Sequence, residues 1–141
     1  MSGRSPTPRE NVERACAIYG RDVVVARSAA LVRGEGVDPA FLRDLVGLAA
    51  RTVLAGGAGG LDGYWPRVWG MRALLYAYDS SADAAIAAGT RDDAWRVREM
   101  AAKVTRQHAV HALLDDMLRL RDDEVVRVRT AAHRALRALS A

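Results

Sequence analysis

The stretch Arg91–His108, RDDAWRVREMAAKVTRQH, is nearly restated at Arg121–Leu139, RDDEVVRVRTAAHRALRAL. Arg96-Val97-Arg98 falls on Arg127-Val128-Arg129 at an offset of 31 residues, which also brings Met100-Ala101 onto Ala131-Ala132. A restated sentence of this length is the signature of a repeat architecture, in which one supersecondary unit stacks on copies of itself. Within the first copy Val97, Met100, Ala101 and Val104 recur with a period near 3.6, so each copy is expected to be an amphipathic helix. Asp92 and Asp93 suit the cap and first turn of that helix, where carboxylates meet free amides and the positive end of the dipole. The expected inward faces are Val97/Met100/Val104 and Val128/Ala131/Ala135, with the two helices side by side and pointing the same way.

Weaker copies lie upstream. Pro66-Arg67-Val68-Trp69-Gly70-Met71 aligns with Trp95-Arg96-Val97-Arg98-Glu99-Met100 at an offset of 29, and Val25–Ala30 aligns with Arg127–Ala132. Between the copies run shorter apolar segments, Ser80–Ala88 and Ala109–Leu120, so the expected unit is a helical hairpin with the motif on its second helix. The first half reads less regularly. Pro8–Gly20 and Asp22–Arg33 form one hairpin, Pro39 opens a helix over Ala40–Leu54, and Gly56–Gly60 makes a flexible loop. Residues 1–7 are expected to be disordered and 8–141 to form one domain.

Composition supports an all-α reading. Half of the 141 residues are hydrophobic, and with a single Phe the core must be built from Ala, Val and Leu, which suits close helix packing. The lone Cys16 excludes an internal disulfide, and neither a secretory leader nor a membrane-length apolar run is present, so a cytoplasmic protein is expected. The net charge of +4 is too modest to signal nucleic-acid binding by itself.

The acidic turns and motif helices at Asp22–Ala30, Asp62–Ala73, Asp92–Ala102 and Asp122–Ala132 resemble the HEAT-repeat family, and with the intervening helices the resemblance covers most of the chain. Tyr64-Trp-Pro-Arg-Val-Trp69 and Trp95–Lys103 are similar to small bacterial HEAT-like proteins. The resemblance implies a short right-handed α-solenoid of about four hairpins used as a binding scaffold. It also implies that Arg98 and Arg129 pair with turn aspartates, Asp93 and Asp123 being the candidates alongside Asp122. This sequence departs from the family in its short late repeats and in placing Trp69 where the 29-residue alignment expects the motif arginine.

A second row of charge turns away from the apolar side. Arg96, Lys103 and Arg106 fall within about 80° on the wheel, with Arg127, Arg134 and Arg137 at the equivalent positions of the last helix and Arg67 in the second copy. Stacked repeats would align these seven into one basic stripe, with Glu99 partly neutralising it. The same residues would also serve as an ordinary solvated face. Trp65, Trp69 and Trp95 are either core or a contact surface.

No catalytic group stands out. His108, His111 and Asp115 lack a further ligand and straddle a helix boundary, and Gly56–Gly60 lacks the Lys-Ser/Thr of a phosphate loop, so no metal and no cofactor is expected. The expected function is non-catalytic recognition of a protein partner by the Arg/Trp surface. The alternative is nucleic-acid binding by the stripe, remotely similar to HEAT-like DNA glycosylases. A role in tetrapyrrole attachment or iron–sulfur handling, known among short-repeat HEAT-like proteins, is disfavoured by the lone Cys16.

Overall fold

The computed structural model describes residues 4–141 and is all-helical there, with no β-strand among the described residues. The helices are α1 (Pro8–Tyr19), α2 (Arg21–Val32), α3 (Pro39–Val46), the single turn α4 (Arg51–Leu54), α5 (Trp65–Ala73), α6 (Asp83–Gly89), α7 (Trp95–His108), α8 (Leu114–Leu120) and α9 (Val126–Ser140). Short 3₁₀ turns precede α4, α6 and α8. None of the helices is long and apolar enough to cross a membrane among the described residues.

Order begins earlier than the expected boundary at Pro8. Residues 1–3 lie outside the described residues, but Thr7 caps α1 through a reciprocal capping box with Glu10. Arg4 in turn holds the Glu10 carboxylate at 2.8 and 3.0 Å. Two orphan amides at the helix start are satisfied in this way, which is why the segment before Pro8 is not free chain.

The helix expected over Ala40–Leu54 is broken at Gly47, whose φ of +77° favours glycine. The side chain of Asn11, buried on α1, donates to the Val46 carbonyl that the break leaves exposed, at 3.2 Å. A Cβ at position 47 would sit 3.1 Å from that same amide nitrogen. The break therefore makes room for the contact that joins α3 to α1.

The motif helices α2, α5, α7 and α9 lie side by side in that order. α5 and α7 run in the same direction: Arg96 at the start of α7 lies over the Trp65 ring at the start of α5, while His108 at the end of α7 bonds the Leu74 carbonyl just past α5. A carbonyl only accepts, so Nε2 of His108 carries the proton. The same histidine stacks on Tyr78, with ring centroids 4.3 Å apart. α6 packs on α2 and α7, and α8 packs on α9.

Val97, Val104, Val128 and Ala135 are fully buried, Ala131 nearly so, and Met100 is partly covered. The core falls into a large cluster from α1 to the 3₁₀ turn before α8 and a smaller one around Met117, Leu120 and Val128. Small residues permit close approach at the α2–α5 seam. A Cβ at Gly70 would lie 2.6 Å from Leu31 Cβ and 2.7 Å from the Ser28 carbonyl oxygen.

Candidate functional site: the helix face of α5, α7 and α9

The most regular feature is an ion-pair ladder. Arg67 Nε meets Asp92 Oδ2 at 2.7 Å and its Nη2 meets Oδ1 at 3.2 Å. Arg98 meets Asp123 in the same way, at 2.9 and 3.2 Å. Both residues of the second pair stand 31 positions after those of the first. In each case a third nitrogen, Nη1, is held by backbone carbonyls: Gly63 for Arg67, and Asp92 with Asp93 for Arg98. Arg129 repeats half of the pose. Its Nη1 donates to the Asp123 carbonyl at 2.7 Å, and no carboxylate stands within ion-pair distance of it among the described residues.

Each rung aspartate has a second task. Asp92 accepts from the Ala94 amide at 2.8 Å and Asp123 from the Val125 amide at 2.9 Å, so each organises the turn that enters a motif helix. The carboxylate thus ties three things together: its own turn, the neighbouring motif helix and the guanidinium between them. The second pair is well covered, with Arg98 12 % and Asp123 9 % exposed. Burial pushes the Asp123 carboxyl up. The Arg98 guanidinium, the Val125 amide and the charges of Arg98 and Arg129 outweigh that and hold it below the ordinary carboxylate value.

This geometry corrects several expectations. Arg67 belongs to the ladder, not to the stripe, because Asp92 reaches it across the α5–α7 seam. The second copy therefore aligns at 31 residues, not 29, which puts Trp69 opposite Met100 and removes the supposed loss of a motif arginine. Trp69 is core, at 7 % exposure, stacked on Trp65 at 5.9 Å, and cannot present a contact surface. Asp93, finally, contributes only its backbone carbonyl to Arg98, and its carboxylate is exposed; the rung position is Asp92's. α7 starts at Trp95, so neither aspartate lies in its first turn.

The remaining stripe residues divide into two groups. At the helix starts Arg96 lies between Trp65 and Trp95, 5.5 and 4.6 Å from the ring centroids, and Arg127 covers Trp95 from the next helix at 5.1 Å. Arginine over an indole face is a favourable cation–π arrangement, stronger where water is partly excluded. Tyr64 packs on Trp65 at one edge of this layer, and Val126 stands 62 % exposed at the other. Glu99 is 8 % exposed beneath it, binding Arg127 Nε at 2.9 Å and standing 3.8 Å from Lys103 Nζ. The i, i+4 spacing to Lys103 makes Glu99 a neutraliser of its own helix. Its closer contact is with α9, and it interrupts the stripe.

Toward the helix ends Lys103, Arg106, Arg134 and Arg137 are all exposed. Lys103, Arg106 and Arg134 line a groove of about 440 Å³ with Leu75, Gln107 and Ala131; Arg106, Arg134 and Arg137 line an adjoining one with Ala138. Apart from the long Lys103–Glu99 contact, none of the four has a carboxylate partner among the described residues. His108 is occupied by the Leu74 carbonyl and the Tyr78 ring. No cluster of three or more His, Cys, Asp or Glu suited to a metal occurs among the described residues. Cys16 is half-buried, and burial pushes its thiol up, away from the reactive thiolate. In comparison with known proteins, the chain matches no protein-family model, no curated protein and no solved structure.

Proposed function

We propose that the chain is a non-catalytic binding module of the HEAT-repeat type, a short α-solenoid that recognises a protein partner in the cytoplasm. The observation that carries the reading is the aromatic–arginine layer of Trp65, Arg96, Trp95 and Arg127, bordered by exposed Val126 and mounted on helices tied together by the ladder. Partly exposed Trp and Arg on a rigid support are the residue types that dominate protein interface energetics. Their geometry is already set by stacking, so little side-chain entropy remains to be lost on binding.

The nucleic-acid alternative asks for one uninterrupted cationic track along the face. Arg67 is committed to Asp92, Arg127 to Glu99, and Glu99 sits midway along the track. This weighs against a continuous phosphate backbone.

The test is capture of partners from a lysate by the purified chain, compared with Trp95→Ala and Val126→Glu variants whose helicity and melting are checked. The reading expects a protein captured by the native chain to be lost from both folded variants. Equal capture by all three, or capture abolished by nuclease treatment, would sink it.

A further inference from the structure

Lys103, Arg106, Arg134 and Arg137 line two adjoining grooves with one long contact to Glu99 as their sole carboxylate among the described residues, an electrostatic cost to the isolated chain. Lys103 with Arg106, and Arg134 with Arg137, are like charges three apart on one helix, where such pairs destabilise. Arg106 and Arg134 then line the same groove from opposite helices. The helix dipole accounts for part of this. Arg106 and Arg137 lie in the last turns of α7 and α9, where a cation is favoured. Lys103 and Arg134 lie further back, outside the turn where that effect is felt. The position 31 residues before Lys103 is Arg72 on α5, which is half-buried and likewise has no carboxylate partner among the described residues. The ladder holds close aspartates at Arg67 and Arg98 and the helix-start layer a close glutamate at Arg127, so four cations that share one 3.8 Å contact to Glu99 mark a place where a fold departs from its own rule, as functional sites do.

We propose that the groove between the C-terminal halves of α7 and α9 binds an acidic segment of the partner protein, its carboxylates held by Arg106, Arg134 and Arg137 with Lys103 at the entrance. This rests on the protein-partner reading above and names the chemistry of one side of that interface. The commitment to a peptide follows from the lining. No aromatic ring lines either groove, so nothing there stacks a nucleobase, the contact on which single-strand binding depends. Leu75, Ala131 and Ala138 supply apolar wall for aliphatic stems, and Gln107 supplies a neutral amide that bonds a peptide backbone. The cationic run is also short. It covers about one turn of each helix and ends against Glu99, which would repel an anionic chain that continued along the face. A volume near 440 Å³ falls in the range of sites that hold several functional groups at once. Three of the four cations are arginines, whose planar fork matches carboxylate geometry bidentately.

The experiment is a titration of the full chain, followed by the Nε–Hε resonances of its arginines, with hexaglutamate, hexaglutamine and hexathymidylate at near-physiological salt. The expected result is that hexaglutamate shifts Arg106, Arg134 and Arg137 while leaving Arg98 in place, that hexaglutamine shifts none, and that hexathymidylate binds more weakly. Arg134→Gln with Arg137→Gln should weaken hexaglutamate at least tenfold, and the Trp95→Ala variant should bind it as the native chain does. Tighter binding of hexathymidylate would transfer the groove to nucleic acid and overturn the proposal. So would hexaglutamate shifts spread evenly over exposed arginines such as Arg43 and Arg121, or no difference from hexaglutamine. Either of these last two outcomes would leave the Trp95 surface and its lysate test untouched, so the two readings fail separately.

Discussion

The Arg98 guanidinium meets the Asp123 carboxylate edge to edge, two nitrogens to two oxygens at 2.9 and 3.2 Å, with only about a tenth of either side chain in contact with solvent. The bidentate geometry and the low exposure distinguish it from the surface ion pairs of this chain, such as Arg33–Glu35 at 3.8 Å, which are worth little. Arg98→Ala would leave Asp123 covered and unpaired, and should cost roughly 2–4 kcal/mol in chemical denaturation. The pair also has a pH signature. Because the folded Asp123 carboxyl is held below its ordinary value, its contribution is present above the unfolded pKa of about 4 and is lost as pH falls through the folded value. Asp123→Asn should therefore be less stable than the native chain at neutral pH and lose less of its melting temperature below pH ~4. Parallel melting curves of the two against pH would refute this.

Arg129 shares the position of Arg98 in its repeat but, among the described residues, holds one carbonyl and no carboxylate. Arg129→Ala should accordingly cost about 1 kcal/mol, clearly less than Arg98→Ala, when the two are measured side by side. Equal losses would mean that the carbonyl bond, not the carboxylate, carries the stability of each rung.

Gly70 marks the closest approach of α5 to α2. An alanine Cβ there would press on Leu31 Cβ and the Ser28 carbonyl, neither of which swings aside by a rotamer change. Overpacking of this kind costs about 1–3 kcal/mol, while the better helix propensity of alanine returns up to about 1 kcal/mol. Gly70→Ala should therefore melt lower than the native chain by a few degrees. A higher melting temperature would show that the seam has slack.

Ala109 ends α7 in the left-handed region, at φ +48°, with the Val110 amide bonding back to Thr105 and its own amide to Arg106. This is the position where helices usually place glycine, since a Cβ there is strained. Ala109→Gly should raise stability by roughly 0.5–1 kcal/mol, read as a higher denaturation midpoint. A loss would show that the extra chain freedom of glycine in the unfolded state outweighs the relief of backbone strain.

Much of this architecture is written locally. The period-3.6 placement of Val97, Met100, Ala101 and Val104, and its restatement at Val128, Ala131 and Ala135, settles helix, inward face and repeat spacing without knowledge of any neighbour. The helical break near Ala109 is legible too, since it falls where the apolar rhythm changes phase. The 31-residue spacing of Arg98 and Arg129 was equally open to reading.

Which helix each charge answers to was decided only by the tertiary structure. Arg67 could be placed in a stripe or in a ladder according to an alignment shifted by two residues, and the tie was broken by Asp92 arriving across the seam from 25 residues away. Glu99 reads as a partner for Lys103 on its own helix, yet its shorter contact is with Arg127 on the next. Trp69 reads as core or surface until Trp65 and the neighbouring helices close over it. The physical reason is the same in each case. Hydrophobic periodicity depends on the angle per residue within one helix, whereas an ion pair or a covered ring depends on how two helices are offset by the loops between them.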